Sequence, residues 1–257
     1  MSFFPTTKHS MSDDISNIVV TILGFPGSGK TWLASQAPEV LILATERGYD
    51  YLDDVYVMPV GVWEGEPGCG YERNESFLEI VSTLRKADHP YKWICVDSID
   101  ALWRLCAEHC GKDGNFDHPV QGINRCELNG KSDYKKAYNL VNHEFSKGID
   151  ALRMIPDVGF ILIGHTKNAS FGTEPVITPR ISEGAFYGIS ACQTISLFTY
   201  CVEEGGETIY RARTKSNLNN TCAKDRTGVL PPSIQFPKYG GWQHFIDLIK
   251  KGMKENG

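Results

Sequence analysis

Short apolar runs of strand length alternate along the chain with longer stretches of helical spacing. The runs fall at residues 18–23, 40–44, 93–96, 159–163, 194–200 and 208–213, and the 3.6-residue spacing at 31–36, 75–86, 99–110, 134–154 and 242–253. Strands that are apolar throughout are those buried on both faces of a parallel sheet, and their alternation with helices is the pattern of βαβ units. The pattern predicts an α/β fold, a mostly parallel twisted sheet with helices on both faces. Two stretches fit neither period: 111–131, rich in Gly, Asn and Asp, and 167–184, interrupted by Gly172, Pro175 and Pro179. Long segments of that kind in a compact domain are usually functional or disordered. No run approaches the 18 apolar residues of a membrane span, so no membrane partner is expected.

Composition changes this picture little. The 257 residues are 41% hydrophobic and 22% charged, as in globular proteins. With 26 Lys and Arg against 31 Asp and Glu, the net charge of −5 excludes a wholly basic nucleic-acid coat and leaves room for a local basic patch. Residues 1–16 carry Asp13 and Asp14 among scattered Ser and Thr, which reads as a flexible tail and not as a secretory signal. The eight cysteines have no framework spacing, so reduced thiols and a cytoplasmic location are expected.

The chemistry begins at Gly24-Phe25-Pro26-Gly27-Ser28-Gly29-Lys30-Thr31, which fits G-x-x-x-x-G-K-[ST] between an apolar strand and a helix that opens with Trp32. Glycines let backbone N–H groups turn inward around phosphate oxygens, and a helix N-terminus adds a favourable dipole. In such a loop Lys30 reaches the β- and γ-phosphates and Thr31 ligates Mg²⁺, so ATP with Mg²⁺ is the expected ligand. A second Mg²⁺ carboxylate is needed at the end of a neighbouring buried strand, and Asp97 closes Trp93-Ile94-Cys95-Val96 in that way. Asp97 also suits the N-cap of the following helix, but the P-loop favours the metal role. Asp100 reads as an acid of that helix's first turn. Glu46, just past the strand at 40–44, is placed to orient or deprotonate an attacking water; an exposed loop acid is the plainer reading.

From about residue 18 to about 232 the chain resembles the phage-type RecA-like AAA ATPases, which include recombinases and single-strand-annealing proteins. The resemblance is carried in order by 24–31, 44–49, 93–100, Tyr134-Lys135-Lys136-Ala137-Tyr138 with Asn142-His143-Glu144-Phe145, 161–167, Ile177-Thr178-Pro179-Arg180, 211–216 and 223–228. It implies a single RecA-like ATPase domain over 17–257. A glutamate at the second strand's end, as at Glu46, is the RecA-like arrangement, whereas helicase-type AAA enzymes place it directly after the Asp, where this chain has Ser98.

The resemblance also implies roles further along. His165, ending a buried strand, looks like the polar sensor of the γ-phosphate, where relatives often have Gln; histidine adds a pH dependence. Arg211, Arg213, Lys215, Lys224 and Arg226 crowd one basic edge, and Lys215 first and Arg226 second are the candidates to complete a neighbour's site in a homo-oligomeric ring or filament. Either of the two also suits a DNA phosphate. The segment 167–184 matches the DNA-facing loop, with Lys167 and Arg180 for phosphates and Phe171 for a base. Cys106, His109, Cys110, His118 and Cys126 contain no C-x-x-C pair, which argues against zinc. The expected function is therefore a Mg²⁺-dependent ATPase acting on single-stranded DNA in recombination, annealing or repair, with a single-strand-binding protein as a further partner. The alternative is a nucleotide-switched loader or scaffold for a replication partner that hydrolyses little ATP.

Overall fold

A computed structural model describes residues 18–65, 75–111, 127–128, 131–132, 134–171, 174–217 and 219–256. The expected tail at 1–16 and most of the 111–131 stretch, with His118 and Cys126, lie outside them. The elements in chain order are β1 (Val19–Gly24), α1 (Lys30–Ala34), β2 (Val40–Ala44), β3 (Tyr56–Val62), β4 (Glu75–Ser76), α2 (Phe77–Leu84), β5 (Trp93–Asp97) and α3 (Ile99–Cys110). Then come β6 (Glu127–Leu128), β7 (Lys131–Ser132), α4 (Tyr134–Arg153), β8 (Gly159–Phe171), β9 (Glu174–Pro179), α5 (Glu183–Cys192) and β10 (Ile195–Glu204). The last are β11 (Glu207–Arg213), β12 (Lys224–Asp225), β13 (Ser233–Gln235) and α6 (Gly241–Asn256).

Eleven strands form one mostly parallel sheet in the order β13-β11-β10-β1-β8-β5-β2-β3-β4, with β12 added to β10 and β9 to β8. The strands from β10 to β4 are parallel, and β11, β13, β12 and β9 pair antiparallel. The apolar-throughout strands β1 and β2 are buried at every residue, as the pattern requires of a sheet covered on both sides. One face is closed by α2, α3, α4 and α5, where Trp63 stacks between Phe77 and Phe145 at centroid separations of 5.0 and 5.9 Å. The other is closed by α1 and α6, where Trp93 meets Trp242 edge to face at 4.9 Å. The α/β architecture with helices on both faces is thus the observed one.

Register decides what stands at the carboxyl edge. Asp97 is level with Ala44 on one side and Ile163 on the other, and Gly24 is level with His165 and Thr199. The phosphate-loop origin, the acid and the histidine therefore converge where the strands of open α/β sheets present their ligands.

Three elements depart from the pattern-based reading. β3 is a strand despite Pro59 and Gly61; next to the sheet's edge it tolerates a proline. The stretch 167–184 is largely regular: β8 runs on past His165 and folds back as β9 in an antiparallel hairpin, whose mixed burial, with Val176 buried after the exposed Glu174 and Pro175, carries no core period. α5 follows at once, capped by Ser182, whose hydroxyl accepts the Ala185 N–H at 3.3 Å. Its glycines obscured it, yet they allow a close approach to α4: a Cβ at Gly188 would stand 2.8 Å from Ser146 Oγ and would require that hydroxyl to move.

Candidate active site

The phosphate loop joins β1 to α1. Gly29 occupies the N-cap of α1 with φ +82°, and a Cβ there would come within 2.5 Å of the Tyr210 ring, so both backbone and space call for glycine. Ser28 is tied to β10 by a 2.9 Å hydroxyl pair with Thr199. Lys30 is buried, and its Nζ donates to the carbonyls of Gly24 at 3.2 Å and Phe25 at 2.9 Å. Burial lowers its pKa, while the nearby Asp97, Asp100 and Glu46 oppose that and favour the charged form.

Thr31 Oγ1 donates to Asp97 Oδ2 at 2.6 Å. Burial raises the Asp97 pKa and the Thr31 hydrogen bond opposes it. A hydroxyl and a carboxylate side by side at the start of α1 are the hard oxygen donors that suit Mg²⁺.

Glu46 is brought to this pair by backbone links between the ends of β2 and β5. Thr45 N–H donates to the Asp97 carbonyl at 2.8 Å, Thr45 Oγ1 to the Ser98 carbonyl at 2.9 Å, and Ser98 N–H to Thr45 Oγ1 at 2.7 Å. Glu46 pairs with the exposed Arg104 at 3.5 Å, a contact of the kind that contributes little. One side-chain oxygen each of Glu46 and Asp100 and a ring nitrogen of His165 lie within 4.8 Å of one another.

A cavity of about 400 Å³ opens over the loop, lined by residues 26–32 together with Glu46, Arg47, Tyr49, Asp97, His165 and Tyr210. Of the proposed nucleotide residues, Pro26, Gly27, Ser28, Gly29, Lys30, Thr31 and Trp32 line it. Gly24 and Phe25 stand behind it, supplying the carbonyls that hold Lys30, and the Phe25 ring packs edge-on against Phe198.

The remaining candidates are spread differently. Lys215 is exposed beyond β11 and does not line this cavity. The Arg226 guanidinium donates to the carbonyls of Ser190 at 2.8 Å and Ala191 at 3.0 Å, near the C-terminal end of α5. Lys167 stands opposite Thr178 in the β8–β9 hairpin, and Arg180, just past β9, is level with His165, its N–H donating to the His165 carbonyl at 2.8 Å. The Phe171 side chain lies outside the described residues. Cys106 and Cys110 lie buried on α3, and no disulfide forms among the described residues.

Two residues of the site escaped the sequence reading. Tyr210, on the antiparallel β11, stacks on Trp32 with centroids 4.6 Å apart and forms one wall of the cavity. Nothing in its own segment marks it. Asp100 does not merely serve its helix: its carboxylate accepts from both the backbone and the ring of His165. An acid three residues past Asp97 was the available signal.

A phosphate loop between a central parallel strand and a helix, facing an acid one strand removed and a glutamate on the next, defines a P-loop NTPase. The chain belongs to the AAA domain family, whose model matches residues 16–227, and a nucleotide-binding ATPase is its general class. No curated protein matches the chain. Among the described residues, no helix is long and apolar enough to cross a membrane.

Proposed function

We propose that the protein is a Mg²⁺-dependent ATPase of the RecA-like type that acts on single-stranded DNA in phage-type recombination, annealing or repair. The observation that carries this reading is the continuity of β8. The strand that delivers His165 to the nucleotide cavity runs without a break into the exposed hairpin bearing Lys167 and Arg180, so the two places share one backbone. Beside the hairpin lies a second cavity of about 730 Å³, lined by Lys167, Thr178, Phe186 and Tyr187 among others, and the Tyr187 ring is 79% exposed. Cations and accessible aromatic faces are the two requirements of single-strand binding.

In this reading Lys30 holds the β- and γ-phosphates, Glu46 takes the proton of the attacking water, and His165 meets the γ-phosphate oxygens. Thr31 and Asp97 would hold Mg²⁺, which would supply positive charge to the phosphates. Lys215 completes the site of a neighbouring copy in a ring or filament; Arg226, already engaged by α5, is second to it.

Salt dependence tests the DNA surface. Single-stranded DNA should bind with a log affinity that falls linearly with log salt, and Lys167→Ala and Arg180→Ala should each reduce the slope by about 1. Unchanged slopes in both variants would remove the hairpin from the DNA interface.

A further inference from the structure

Asp100 stands in the first turn of α3, and both its oxygens are directed to one residue of β8. Oδ1 accepts the His165 backbone N–H at 3.0 Å, and Oδ1 and Oδ2 lie 3.2 and 3.0 Å from His165 Nδ1. A carboxylate only accepts, so the proton between the two side chains resides on Nδ1. A neutral imidazole has a single N–H. Once that proton is committed to Asp100, Nε2 of the neutral ring is a lone pair, and a phosphate oxygen, itself an acceptor, gains no hydrogen bond from it. Only the imidazolium donates at both nitrogens.

We propose that Asp100 is a positioning residue for the terminal-phosphate contact. By fixing the Nδ1 proton of His165, it makes that contact available only to the doubly protonated ring, so that ATP is told from ADP in a proton-dependent way. The proposal rests on the ATPase reading given above and adds the means by which the γ-phosphate is sensed. Glutamine, with a neutral N–H to offer, would sense the phosphate without a proton; the Asp100–His165 couple does not.

The charged groups around His165 set the direction of the effect. They are Asp100 on α3, Asp97 at the end of β5, Glu46 beyond β2 with Arg104 paired to it, and Lys30 on α1. The Asp100 hydrogen bond lifts the ring's pKa above its ordinary 6.5; burial and Lys30 oppose it, and Glu46 adds to it. In turn burial disfavours ionised Asp100, but the His165 hydrogen bonds outweigh that and hold its carboxyl below the usual carboxylate range. A raised pKa means that the phosphate contact is complete at low pH and is lost as pH climbs through the raised value, above that of a free histidine. ADP, lacking the γ-phosphate, shows no such loss.

The test compares affinities of Mg²⁺ with a non-hydrolysable ATP analogue and of Mg²⁺ with ADP, from about pH 5.5 to 9, for the wild type, His165→Gln and Asp100→Asn. The ratio of the two affinities cancels what the phosphate loop gives to both nucleotides. His165→Gln keeps the titration of the nucleotide itself and lacks that of the ring, so it serves as the baseline. The wild-type ratio should fall about tenfold or more with rising pH beyond that baseline, the loss of one charge-assisted hydrogen bond. In Asp100→Asn the amide can donate to Nδ1 and so permit the neutral Nε2–H form, and the profile should flatten toward the baseline. A merely structural Asp100 would change both affinities together and leave the profile of the ratio intact. A wild-type profile parallel to His165→Gln, or a wild-type step retained in Asp100→Asn, overturns the inference and leaves the ATPase reading standing. Absence of saturable binding of either nucleotide to the wild type overturns both.

Discussion

Lys30→Ala should weaken ATP binding by roughly 10²-fold, as expected when one member of a buried charge pair is truncated. Lys30 is 6% exposed, its Nζ donates to the carbonyls of Gly24 and Phe25, and the residue lines the cavity over the loop. The cation stands among Asp97, Asp100 and Glu46, which favour its charged form against the cost of burial. Its loss leaves those carboxylates beside bound phosphates without the lysine's charge, so repulsion adds to the missing attraction. Calorimetric titration with ATP measures the effect. An unchanged affinity would remove the phosphate-loop assignment.

The second large effect is on turnover. Glu46→Gln keeps the size and hydrogen-bonding reach of the side chain and removes its ability to take a proton, so ATP should remain bound while kcat falls roughly 10²-fold or more. Its place beside Asp97 is fixed from the backbone, through Thr45 and Ser98, and not by the glutamate itself, so the substitution leaves the frame of the site intact. Loss of the Arg104 pair costs little, since Arg104 has a side chain 66% exposed. Single-turnover rates, with affinity measured separately, distinguish a slower step from weaker binding. Wild-type rates would return Glu46 to the role of a loop acid.

Legibility in the sequence followed burial. The strand at 40–44 and the helix at 99–110 were bounded in the pattern as they are in the fold, because their residues face a core and so carry a strict period. That the phosphate loop, Asp97 and Glu46 meet at one sheet edge was legible for another reason: a phosphate loop calls for particular residue types at the ends of particular strands, and that demand is local in sequence. The β8–β9 hairpin was hidden because its pairing is made by backbone groups while its side chains are of mixed exposure, Val176 buried but Lys167 and Glu174 exposed, so no hydrophobic alternation records it. α5 was hidden by Gly184 and Gly188, which weaken a helix taken alone but give way to close packing against Asn142 and Ser146 of α4. Tyr210 was invisible, and the role of Asp100 was signalled only by its place three residues past Asp97, because each depends on a contact between distant parts of the chain, Trp32 with β11 and α3 with β8.

The account stands or falls on whether the nucleotide site at the middle of β8 and the hairpin that follows it on the same strand act together. Phosphate release from ATP, measured at fixed protein concentration with increasing single-stranded DNA and with Mg²⁺ present, is the most direct measurement of it. Turnover should be low without DNA, rise to a plateau as DNA saturates, and be abolished in Lys30→Ala at every DNA concentration. A rate unaffected by DNA that is demonstrably bound would contradict the coupling through β8 and leave an ATPase whose hydrolysis serves another partner.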